Sequence, residues 1–264
     1  MPENIISVRP GSYGPHALVA YEHLPEIGIK YVEIDALHKK KEAENLKALL
    51  EDLENKIAVG SFCFPIDTDD KKIVEKFRES CELGQGFNPF VYFCSAKTSK
   101  NNFPHAYEVL AKIGDVAKEF DTILSLETHP PFCTNAERML ETMKNVNHPN
   151  IRINFDTANI YYYNKLEPGD GIKEMDKVKQ YIASVHLKES NGKPETWWFP
   201  SLGSNGGIVD FKKIFEMMNE IGFYGLWTLE LEGTKEKPLK NYSFDQAKKG
   251  VEDSIQHLRK INAI

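Results

Sequence analysis

The segments ILSLE, IRINFD, ASVHLK and LWTLELE share one arrangement: each brings a residue able to ligate a cation or carry a proton to the end of a short apolar run. Those residues are Glu127, Asp156, His186 and Glu230. In an extended strand, side chains two apart point the same way. Ser125 and Glu127 therefore oppose Leu124 and Leu126, and Asn154 and Asp156 oppose Ile153 and Phe155. Ser184, His186 and Lys188 oppose Val185 and Leu187, while Thr228, Glu230 and Glu232 oppose Trp227, Leu229 and Leu231. Were these ends to meet, three carboxylates and an imidazole buried together would cost several kcal/mol without a compensating cation. One divalent metal ion is the simplest such cation. Oxygen-rich ligation with a single histidine suits Mn²⁺, Mg²⁺, Co²⁺ or Zn²⁺. Taken singly, a strand-end glutamate or a lone histidine is an ordinary structural residue, and an antiparallel sheet with one wet face would alternate in the same way with no metal at all.

The elements that must carry these residues decide between the two readings. Strand-like runs fall at 5–8, 31–34, 57–64, 90–94, 123–127, 151–156, 182–187 and 226–231. Between them lie segments such as AENLKALLEDLENK, DKKIVEKFRESCEL, AYEVLAKIGDVAKEF, NAERMLETMKNV and VDFKKIFEMMNEIGF, with apolar residues at three- and four-residue steps; FDQAKKGVEDSIQHLRKI closes the chain. Asn135 and Asp210 stand where helix N-caps belong. Eight strands alternating with helices predict an α/β fold, a (β/α)8 TIM barrel, with a doubly wound open sheet as the alternative. No linker or composition break divides the chain, so residues 1–264 are expected to form a single domain. In a barrel the four ligand-type residues converge at the C-terminal ends of the strands. The longest connection, from Glu189 to Asp210, follows a strand and so belongs to the same face.

The bulk numbers narrow the chemistry. A chain of 264 residues can bury a large core, and a formal charge of -6 disfavours a surface built to grip nucleic acid. No run approaches a membrane span and no secretory leader is visible, so the expected compartment is cytoplasmic. The four cysteines, Cys63, Cys81, Cys94 and Cys133, are scattered, which predicts core or pocket residues and neither a disulfide framework nor a zinc knuckle.

At LSLETHP, INFDTAN, SVHLKES, GGIVDFKKIF with GFYG, and LELEG, the sequence resembles the xylose isomerase-like superfamily of TIM barrels, which includes sugar phosphate isomerases and epimerases and the endonuclease IV type of AP endonuclease. The resemblance is strongest over 123–233. It implies one divalent metal held by Glu127, Asp156, His186 and Glu230, with Glu127 and Glu230 also moving protons. It implies an enzyme of carbohydrate metabolism, an isomerase or epimerase of a sugar or polyol working through a cis-enediolate, and a homo-oligomer. Such chemistry is coherent, because a metal chelating a carbonyl and its neighbouring hydroxyl acidifies the shared C–H. Around this centre His129, Lys188, Glu33, Trp197 and Trp198 are substrate-binding candidates, the tryptophans because aromatic faces stack on sugar C–H surfaces. LGSNGG reads first as turn residues, although its amides could also hold a phosphate.

Two departures matter. Endonuclease IV proteins carry extra histidines, one of them three residues after the Asp ligand; here that position is Asn159, and LKESNGK follows His186. DNA repair is therefore disfavoured. Ketose 3-epimerases place further substrate-binding residues after the first glutamate and an arginine before the last helix–strand unit, whereas this chain has THPPFC and no arginine between Arg152 and Arg259. A dehydratase or lyase of the same superfamily, acting on an inosose or a dehydroshikimate-like compound, and a barrel that binds sugar without turnover are the other readings.

Overall fold

Each strand-like run pairs with the next along the chain, and the last returns to the first. The computed structural model describes residues 2–99 and 102–264. Strands β1 (Ile6–Val8), β2 (Tyr31–Asp35), β3 (Ala58–Cys63), β4 (Val91–Cys94), β5 (Leu124–Glu127), β6 (Ile151–Asp156), β7 (Ile182–Leu187) and β8 (Trp227–Leu229) form a closed parallel barrel. Closure is made by β1 against β8, with Ile6, Ser7 and Val8 beside Trp227, Thr228 and Leu229. The expected (β/α)8 architecture is what the chain adopts.

Alternation explains which side chains point where. The outward faces of β5–β8 bury Leu124, Leu126, Ile153, Phe155, Val185, Leu187, Trp227 and Leu229 to 1% exposure or less. At roughly 1.5–3 kcal/mol for each fully buried large apolar side chain, this layer supplies much of the driving force. Helices α1 (Ala20–Glu26), α2 (Lys40–Asp52), α3 (Ile73–Gly84), α4 (Phe103–Glu119), α5 (Ala136–Val146), α6 (Asn159–Tyr162), α7 (Asp170–Val178), α8 (Phe211–Glu220) and α9 (Phe244–Lys260) complete the fold. Asn135 and Asp210 are N-caps as expected, accepting the amides of Arg138 at 3.0 Å and Lys213 at 3.1 Å. Periodicity did not single out α1, α6 or α7. They are short, and the 3-10 segment Pro10–Val19 before α1 is interrupted at Gly14 and His16, on either side of Pro15.

The barrel interior is different in kind. Ser7, Ser61, Ser125, Asn154, Ser184 and Thr228 are all buried at 1% exposure or less. Ser125 Oγ lies 2.9 Å from Ser184 Oγ, and Ser184 donates to Asn154 Oδ1 at 2.7 Å. These small polar residues stand two positions before the rim residues and leave space above them for longer polar side chains. The connection after β7 lies over that rim, where Trp198–Phe199 pairs antiparallel with Gly233–Thr234.

Candidate metal centre

β5, β6, β7 and the residue after β8 deliver Glu127, Asp156, His186 and Glu230 to one place. One ligand atom from each lies within 4.8 Å of the others. His186 Nδ1 is 3.3 Å from Glu127 Oε1, 3.3 Å from Glu230 Oε2 and 3.9 Å from Asp156 Oδ2. Both His186 Nδ1 and Asp156 Oδ2 are buried with no aligned hydrogen-bond partner, so two good donor atoms face the centre of the group uncommitted to a hydrogen bond. Three carboxylate oxygens and one imidazole nitrogen suit a hard or borderline divalent ion. The group is thus able to hold a metal ion.

Each ligand is held from behind. Asp156 Oδ1 accepts the amides of Ala158 and Asn159, both at 2.8 Å, which turns Oδ2 towards the centre. Ser95 donates to Glu127 Oε2. Arg9, the residue after β1, donates to Glu230 Oε1 at 3.0 Å. Glu33 is buried beneath the imidazole, its Oε1 3.0 Å from His186 Nε2, and Ser61 donates to its Oε2 at 2.6 Å. A carboxylate behind the far nitrogen of a ligating histidine orients the ring and raises its basicity. Phe93 packs edge-on to the same ring with centroids 4.6 Å apart.

The charges of the group act strongly on one another. Burial opposes a proton on His186, yet Glu33 and Glu230 around it raise its pKa well above the ordinary imidazole value. Burial pushes Asp156 up to about 6 in spite of Lys188 and His186. Burial works in the same direction on Glu230, but Lys188 and His186 outweigh it and hold the carboxylate well below its usual range. Lys188 is itself buried, 3.1 Å from Glu230, 2.5 Å from Glu232 and 3.7 Å from Asp156, with Nζ 4.6 Å from the centre of the Phe199 ring.

Above this centre opens a cavity of about 280 Å³. Glu127 and Glu230 line it, whereas Asp156 and His186 lie below its floor. Lys188, His129 and Trp197 also line the cavity. Glu33 and Trp198 do not: Glu33 lies under His186, and Trp198 belongs to the strand pair that carries the loop. His129 packs against Tyr163 with ring centroids 5.0 Å apart.

A family model described as xylose isomerase-like TIM barrel matches residues 21–261. The chain belongs to that family. Solved structures related to this xylose isomerase-like barrel include a xylose isomerase domain protein from Planctomyces limnophilus, with TM-score 0.74 and 20% identity over 99% of this chain and 97% of the other. The probable 3-DHS dehydratase AsbF from Bacillus anthracis gives TM-score 0.72 and 17% identity over 94% and 97% of the two chains. A D-allulose 3-epimerase from Methylomonas sp., solved with D-allulose, gives 0.71 and 18% over 97% and 98%. Among curated proteins none matches by sequence. No helix among the described residues is long and apolar enough to cross a membrane.

Several residues of this xylose isomerase-like site escaped the reading of the sequence. Arg9, Phe93, Ser95, Tyr162, Tyr163 and Phe199 all line the cavity, as does Cys63, one of the four cysteines expected in the core or a pocket. The two-residue alternation carries a signal for some of them, since Ser7 precedes Arg9, Ser61 precedes Cys63 and Phe93 precedes Ser95. The YYY run at 161–163 signals the aromatic wall: Tyr162 meets Tyr163 at 5.1 Å and Phe199 at 5.9 Å between ring centroids.

Proposed function

We propose that the protein is a metal-dependent isomerase or epimerase of a sugar or polyol, acting by proton transfer at a carbon beside a carbonyl. One observation carries the reading: of the four side chains able to hold the ion, the two glutamates Glu127 and Glu230 alone border the open cavity. A divalent ion in that group would acidify the C–H shared by a carbonyl and its neighbouring hydroxyl and would stabilise the negative charge left when the proton departs.

The chain's own residues supply the rest. Glu127 and Glu230 enter the cavity from different strands, so one can remove the proton and the other return it. Return to the opposite face of the same carbon gives epimerisation, and return to the neighbouring carbon gives isomerisation. Ser95 fixes Glu127 and Arg9 fixes Glu230, which keeps each carboxylate aimed at the reacting carbon. Lys188 draws off excess negative charge around Glu230. Tyr162, Tyr163, Trp197 and Phe199 form an apolar wall suited to the C–H face of a monosaccharide and to keeping water out.

The test is deuterium incorporation. Metal-loaded protein is incubated with a panel of ketoses in deuterated water, and exchange is followed by NMR. Exchange beside the carbonyl that disappears in Glu127→Gln and Glu230→Gln supports the reading. Full exchange in Glu230→Gln overturns the acid/base assignment. Loss of water with formation of a conjugated product would instead identify a dehydratase, and binding without exchange a sugar-binding barrel.

A further inference from the structure

The cations of this pocket are already spoken for. Of the described residues that line the cavity, Arg9 and Lys188 carry the positive charges apart from any proton on His129. Arg9 lies 3.0 Å from Glu230, 3.8 Å from Glu33 and 3.8 Å from Asp35. Lys188 lies within 3.7 Å of Glu230, Glu232 and Asp156. Leaving aside the exposed Asp35, five carboxylates, Glu33, Glu127, Asp156, Glu230 and Glu232, thus stand around Arg9, Lys188 and His186. Even with a divalent ion bound and His186 neutral, the site keeps one negative charge in excess. A second anion brought in by the substrate would meet like charge and find no free counter-ion.

The connection after β7 points the same way. In barrels that accept phosphorylated substrates the phosphate commonly rests on the loops after the seventh and eighth strands, on backbone amides and a helix N-terminus. Here that loop is closed on an anion of its own. Glu189 is buried at 1% exposure and accepts the amides of Gly203 at 2.8 Å, Ser190 at 3.1 Å and Val209 at 3.2 Å. Gly207 packs so closely on this carboxylate that a Cβ there would come within 2.4 Å of Glu189 Cδ. The neighbouring amides of Gly207 and Ile208 donate to Ser204 and Ser190 carbonyls, and the N-terminus of α8 is capped by Asp210. Within LGSNGG, Gly203 thus donates its amide to this internal carboxylate and Gly207 packs against it.

We infer that the pocket is built for an uncharged polyhydroxy carbonyl compound, and that Glu189 occupies the amide nest a phosphorylated substrate would need. The inference rests on the proton-transfer reading for its choice of probes, so the test has two arms. In the first, metal-loaded protein is given D-fructose and D-fructose 6-phosphate, and D-xylulose and D-xylulose 5-phosphate, and deuterium exchange is measured. The expected result is at least a ten-fold higher kcat/KM for a free sugar than for its phosphate. Equal or faster exchange with a phosphate ester overturns the inference while leaving proton transfer intact.

In the second arm, the same four compounds and inorganic phosphate are titrated calorimetrically into the metal-loaded protein. Weaker binding of the phosphorylated partner in each pair, with no saturable binding of inorganic phosphate, supports the inference even if no sugar exchanges, an outcome that would count only against the proposed reaction. Tighter binding of a phosphorylated partner, or saturable inorganic phosphate, overturns it.

Discussion

The two halves of the barrel reach the same rim with different chemistry. Strands β5–β8 end in Glu127, Asp156, His186 and Glu230, a set of potential ligands. Strands β1–β4 bring Arg9, Glu33, Cys63 and Ser95 to the same level, and three of these touch a ligand from the other half: Arg9 meets Glu230, Glu33 meets His186 and Ser95 meets Glu127. One half offers donor atoms to a cation; the other holds those donors in place and adjusts their charge. The division teaches that a buried acidic cluster needs two layers of control, because every lone pair not aimed at the ion must be occupied by something else.

The comparison breaks or sharpens in graded ways. The largest effect is expected in the ligand half. Asp156→Ala should abolish stoichiometric metal retention, read by elemental analysis, and lower ketose exchange by about 10³-fold, because the charge stabilisation that a bound ion would supply is lost with it. Retention of one tightly held ion would remove Asp156 from the ligand set. Next comes Glu33→Gln in the supporting half. It should leave the thermal midpoint within a few degrees of the parent but weaken metal affinity about 10- to 100-fold, measured by competition with a chelator. A loss as complete as that of Asp156→Ala would erase the distinction between the halves.

Ser95→Ala removes one hydrogen bond to Glu127, a loss on the order of 1.5–3 kcal/mol for a charged acceptor, and should reduce kcat roughly ten-fold or more with metal affinity little changed. A larger drop in affinity than in kcat would recast Ser95 as a determinant of metal binding alone.

The smallest effect concerns pH. Burial pushes the Cys63 thiol up to about 12; Arg9 opposes this, and Glu33, Asp35 and Glu127 add to it. A raised thiol pKa favours the neutral form, so reactivity is lost below about 12 and grows as pH rises towards it. At about pH 8 only about one thiol in ten thousand is ionised, and iodoacetamide should label Cys63 far more slowly than a free cysteine, with mass spectrometry locating the adduct. Rapid labelling at that pH would show an environment much less negative than the carboxylates around it imply.

Much of this site was legible in the sequence, and unevenly so. Ser125–Glu127, Asn154–Asp156, Ser184–His186 and Thr228–Glu230 each repeat a polar residue at a spacing of two within an apolar run, and that pattern marks both the strand and its inward face. Arg9 and Ser95 obey the same spacing but were passed over, since arginine and serine are ordinary strand-end residues and nothing local marks them as partners of a ligand. Glu33 was noticed at its strand end, yet its place beneath His186 depends on the packing of β2 beside β1 and β3. LGSNGG reads as a turn whose amides could hold a phosphate, and the structure gives the Gly203 amide of that run, with the amides of Ser190 and Val209, to Glu189.

By itself the sequence determined the alternation of faces, the capped starts of α5 and α8, the barrel class and the four residues able to meet a cation. Those features are written in periods of two and 3.6 residues and need only neighbouring side chains. Tertiary closure alone decided which charges share a space. Arg9 and Glu230 are 221 positions apart in the chain, and Lys188 and Glu230 are 42 apart. Charge balance is a property of distances in space, and those distances exist only once β1 has closed against β8.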